Sequence, residues 1–97
     1  MGHKARRKPA KLAKKLVRIR KELGLSQSGM VRQLGLADEI RQSHISAFEL
    51  GTREPSLIVL LRYSRVAGVT METLVDDNLK LPTRLRATIK EGRLPER

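Results

Sequence analysis

The chain has 97 residues, no cysteine, and 21 lysines and arginines against 10 aspartates and glutamates, for a formal net charge of +11. That length holds one domain with a modest core, and the missing cysteines exclude disulfides and thiolate metal sites. No apolar run approaches the roughly 18 residues of a membrane span, and the basic N-terminus has no apolar signal-peptide stretch, so the expected location is cytoplasmic, with no membrane partner.

The charge is unevenly placed. Residues 1–21 carry ten basic side chains and no acidic one, residues 22–79 carry five basic and eight acidic, and residues 80–97 carry six basic and two acidic. Excess charge at both ends predicts a polyanionic partner, with nucleic acid ahead of an anionic membrane. The alternative is that the basic ends are only solvated tails.

The first nine residues, MGHKARRKP, have no periodicity and read as a flexible basic arm. From Ala10, apolar residues at Leu12, Leu16, Ile19 and Leu23 follow helical spacing, and Gly24 closes the helix. Ser26 then caps a short second helix with Met30, Val31 and Leu34 on its apolar stripe, ended by Gly35. Gly29 inside it costs about 1 kcal/mol relative to alanine. A polar connection leads to a third helix containing Ile45 and Phe48 and stopped at Gly51. Ser56 caps a fourth helix running to Gly68, and Thr70 caps a short fifth through Leu74 and Val75. Beyond Pro82, Thr83 could cap a further turn or two with Leu85 and Ile89 on one face. No strand pattern or repeat is present. The expectation is an all-α fold: a domain at 10–78, preceded by the arm at 1–9 and followed by a basic extension at 79–97, helical or disordered.

Three stretches, RKELGLSQSGMVRQLG, ISAFELGTREPS and LLRYSRVAGVTMETLV, occur in this order. Together they resemble the Cro/C1-type (XRE) helix-turn-helix family over about residues 12–76. The resemblance implies a five-helix lambda-repressor-like domain whose third helix lies in the DNA major groove. It implies a bacterial or phage transcriptional regulator, most simply a repressor, acting as a homodimer on double-stranded DNA. The chain departs from the family pattern in three ways. Gly35 and Ile45 are ten residues apart, about four more than usual; Val31 replaces a small residue; and Gly29 stands where a better helix former is common. The four additional residues either lengthen the turn, which we favour, or add a helical turn capped by Asp38 that buries Ile40.

With Ile45 and Phe48 turned inward, Arg41, Gln42, Ser43, His44, Ser46 and Ala47 are left to face outward. Glutamine can grip adenine, arginine can take guanine, serine can bond either partner, and alanine can touch a thymine methyl. Singly, each is as readily a solvated residue, and His44 is more often structural. By the resemblance, Ser26 and Gln27 abut a phosphate at the start of the second helix, and Arg53 contacts the DNA backbone. Lys4, Arg6, Arg7 and Lys8 of the arm would add phosphate affinity. Lys11, Lys14 and Lys15 are weaker candidates. The resemblance also pairs Arg20 with Glu49 in a structural ion pair between the first and third helices.

Enzyme chemistry finds little support: there are two histidines, no phosphate loop and no metal-ligand spacing, so neither metal nor cofactor is expected. One rival reading is an antitoxin whose C-terminal extension binds a toxin, with DNA binding as autoregulation. Another is a non-specific architectural nucleic-acid binder. Single-strand RNA recognition is disfavoured, since Phe48 and Tyr63 lie on apolar stripes and no other aromatic residue is present to stack on bases. The candidate dimer surfaces are the fifth helix and the set Leu79, Leu81, Leu85 and Ile89, which could equally close the core.

Overall fold

The computed structural model describes residues 8–85, all helix and connection with no strand among them. Five helices follow in order: α1 Leu12–Glu22, α2 Gln27–Leu34, α3 Gln42–Leu50, α4 Leu57–Ala67 and α5 Met71–Val75. None is long and apolar enough to cross a membrane. The expected helical turn after Pro82 does not form within the described residues, and Ile89 lies outside them.

The helix ends follow the local chemistry. Ser26, Ser56 and Thr70 each accept a bond from the backbone N–H three residues on, satisfying a donor that the first helical turn leaves open. Gly35 has φ 74°, and a Cβ there would stand 2.8 Å from Arg62 Nη1. Arg62 occupies that place because it donates to Leu34 O at 2.8 Å, closing the end of α2. Glycine at this turn is therefore required by the left-handed backbone conformation, and any Cβ would also make the Arg62 side chain shift.

The core gathers Leu12, Leu16 and Ile19 of α1, Met30, Val31 and Leu34 of α2, Ile45 and Phe48 of α3, and Tyr63 and Val66 of α4, with Leu74 of α5. Burial pushes the Tyr63 phenol up from its ordinary pKa, and the nearby Glu49 carboxylate adds to the shift, so the ring enters the core neutral. Leu81 and Leu85 also lie in this core. Being buried, they are withdrawn from the candidate dimer surface; Val75 and Leu79 remain exposed.

The long α2–α3 link is a turn, and the alternative in which Asp38 caps an extended α3 is not realised. Glu39 and Ile40 both donate to Leu36 O, at 2.9 and 3.0 Å. Leu36 is buried and Ile40 packs against the core, so the additional residues are pinned at both ends while Ala37, Asp38 and Glu39 face solvent. α3 begins only after Arg41.

Two contacts from distant sequence fasten α5 to α1. The Lys15 side chain, with the residue only 7% exposed, donates to Thr73 O at 2.7 Å, Leu79 O at 2.8 Å and Asp76 O at 3.1 Å, with Leu74 O at 3.4 Å. These include the carbonyls that the end of α5 leaves unpaired. In return, Asp77 accepts from Ala10 N at 2.8 Å and Lys11 N at 3.0 Å, capping α1, whose own N-cap Lys11 supplies no side-chain bond. Lys15 is thus structural and leaves the set of candidate DNA contacts.

Candidate nucleic-acid interface

The surface begins at α1. Arg20 Nε and Nη2 meet the two carboxylate oxygens of Glu49 at 2.7 and 3.0 Å, a bidentate pair across α1 and α3. Arg20 Nη1 donates to Leu25 O at 2.9 Å and fixes the α1–α2 link. The bond to Glu49 raises the Arg20 pKa against the opposing effect of burial, so this guanidinium stays charged inside the fold. The expected ion pair is present in the form the chemistry favours.

The pair extends outward through two amides. Gln27, the first residue of α2, donates through Nε2 to Glu49 Oε1 at 3.1 Å. That bond sets the orientation of its amide and turns its oxygen outward, where it accepts from Gln42 Nε2. One hydrogen of the Gln42 amide nitrogen is thereby used. Its second hydrogen and its oxygen remain on an exposed residue at the start of α3. A donor and an acceptor so placed match the N7 and N6 edge of adenine.

The neighbouring groups divide by role. Arg41 N donates to His44 Nδ1 at 2.9 Å. The bond is not reciprocated by the Arg41 side chain, since a guanidinium has no acceptor. His44 is half-buried, with its ring centroid 6.5 Å from that of Phe48. It caps α3, and its Nδ1, engaged as an acceptor, leaves the ring hydrogen on Nε2. Arg41 and Ser43 are exposed, while Ser46 and Ala47 are half-buried on the outer side. Ser26 Oγ is taken by Gly29 N at 2.9 Å, and among the described residues no acceptor takes the N–H groups of Gln27 and Ser28. A Cβ on Gly29 would lie 3.2 Å from that same Ser26 oxygen, so the glycine keeps the cap uncrowded.

Arg53 is exposed in the α3–α4 turn. Lys8 and Pro9 line a small cavity of about 50 Å³ with Phe48, Gly51 and Arg53. The arm therefore enters the fold beside the end of α3. Lys4, Arg6 and Arg7 lie outside the described residues. Lys11, Lys14 and Arg18 lie about half a turn around α1 from Arg20, which faces α3. They are thus not grouped with the α3 surface. Arg18 is occupied by Glu22 and by the Pro82 and Thr83 carbonyls.

One residue on this surface was missing from the sequence-based set. Leu50, the last residue of α3, is 74% exposed. Its spacing from Ser43, Ser46 and Ala47 was the available signal.

Two helices joined by a turn, the second with its outer face free and its first residue tied to the first helix, define a helix-turn-helix DNA-binding unit. The helix-turn-helix family model matches residues 16–74, well over half of the chain, and the protein belongs to that family, in its XRE-type branch. Comparisons with curated proteins and with solved structures give no match.

Proposed function

We propose that the protein is a sequence-specific regulator of transcription, acting as a repressor, which lays α3 in the major groove of duplex DNA. The observation that carries this reading is the chain Arg20–Glu49–Gln27–Gln42. It holds one amide with a free donor and acceptor on an exposed helix end, and a solvated glutamine needs no such support. In this reading Gln42 reads adenine, with Arg41 and Ser43 beside it. Ser46 and Ala47 face the bases further along, and His44 contributes its Nε2 hydrogen. The open amides of Gln27 and Ser28 at the start of α2 take a phosphate, as does Arg53. The arm, with Lys4, Arg6, Arg7 and Lys8, supplies affinity without sequence preference. Two copies bind a palindromic site.

The test is to select duplexes from a random pool and compare their binding with a shuffled duplex of equal composition, at low and near-physiological salt. A preference that survives added salt is the expected result. Equal affinities that fall together as salt rises would overturn the proposal in favour of charge-driven, architectural binding.

A further inference from the structure

We infer that Leu50, backed by Ala47, reads the C5 methyl group of a pyrimidine in the major groove. The inference rests on the reading that α3 lies against DNA, and adds the chemistry of what the far half of that helix recognises.

At about 100° per residue, Ser43, Ser46, Ala47 and Leu50 fall in one sector of α3, opposite the buried Ile45 and Phe48. That sector holds no charge. Glu49, the acid nearest to it, is turned aside to Arg20 and Gln27. The serines at its near end can hydrogen-bond; Ala47 and Leu50 cannot. Leu50 is 74% exposed, and its neighbours one turn back, Ser46 and Ala47, are too short to cover it.

An apolar projection on a groove-facing sector has few partners there. The major-groove edges present hydrogen-bond donors and acceptors, and one apolar group, the thymine C5 methyl. 5-Methylcytosine carries the same methyl at the same ring position. Leu50 stands seven residues beyond Ser43, about 10 Å along the helix axis. The methyl should therefore sit further along the groove than the step that faces Ser43. Burying it against Leu50 is worth about fourfold in affinity.

The test begins with the duplex that the wild-type protein selects. Each thymine in turn is replaced by deoxyuridine, which removes only the methyl, and binding is measured. Cytosine and 5-methylcytosine are then compared at any position that responds. One position per half-site should lose about fourfold with deoxyuridine, and 5-methylcytosine should exceed cytosine there. A response to thymine alone would assign the methyl to thymine; a response at both would assign it to either base. In Leu50→Ser, at an exposed site, the methyl dependence should vanish while discrimination at the Gln42 position persists. If no thymine responds, or if Leu50→Ser keeps the full methyl ratio, the inference fails while the preference for selected over shuffled duplex stands. If Leu50→Ser instead abolishes self-association by sedimentation and leaves the ratio intact, Leu50 is a protein contact and the inference fails. No preference for any duplex would overturn both this inference and the reading on which it rests.

Discussion

Lys15 and Arg20 sit five residues apart on α1, and both are drawn into the fold, yet they are satisfied in different ways. Arg20 meets a carboxylate in a two-pronged pair, and that carboxylate passes the contact on through Gln27 to Gln42. Lys15 meets only carbonyls, gathered at the end of α5 and just beyond, and the chain of contacts stops there. One tie steadies the surface that faces outward; the other closes the bottom of the domain. Both draw on the ten cations of the first 21 residues. The basic character of α1 therefore overstates the positive surface it offers to a polyanion.

The two ties can be broken separately. Glu49→Ala should have the largest effect. It strands the Arg20 guanidinium inside the fold and should lower stability by about 3 kcal/mol, read by denaturant unfolding, and it should also weaken binding to selected DNA. Lys15→Met should cost about 2 kcal/mol by leaving the carbonyls around α5 unpaired. Once the protein is folded, this variant should keep its DNA preference; a change in preference would show that the lower tie reaches the α3 surface.

Asp77→Asn should cost less, and its effect should depend on pH. The backbone N–H groups of Ala10 and Lys11 hold the Asp77 carboxyl below its ordinary value of 3.8. A depressed pKa stabilises the fold fully above that ordinary value and loses the contribution as pH falls through the folded one. The stability difference between wild type and Asp77→Asn should therefore be constant near neutrality and shrink as the pH drops below about 4. A difference that grows in acid would contradict the capping role. Gln27→Ala should disturb stability least, because its two amide bonds lie at a half-exposed position where water can replace them, at a cost of about 1 kcal/mol, yet it should reduce discrimination among duplexes measurably.

Much of this was legible in the sequence where a single helix carries the signal. The stripe of Leu12, Leu16 and Ile19, the caps at Ser26, Ser56 and Thr70, and the stops at Gly35, Gly51 and Gly68 all act within a turn or two of themselves. Contacts that join distant segments were harder. Asp77 reads as a helix end, and nothing local says that it caps α1. Lys15 stood among solvated lysines, although its helical position between Leu12 and Ile19 could have placed it at the core edge. The path of residues 36–41 depended on whether Leu36 and Ile40 could both find the core, which spacing alone leaves open. The Arg20–Glu49 pair was expected, but its continuation through Gln27 to Gln42 required the actual side-chain orientations.

The central claim is that Gln27 orients Gln42 for reading. A double-mutant cycle tests it most directly: Gln27→Ala, Gln42→Ala and the pair, each measured for binding to a selected duplex and to a shuffled one. The account predicts that Gln42→Ala lowers specific affinity by about 1–3 kcal/mol, that Gln27→Ala loses part of the same energy, and that the double variant loses no more than Gln42→Ala alone. Losses that simply add, or that are equal on both duplexes, would contradict it.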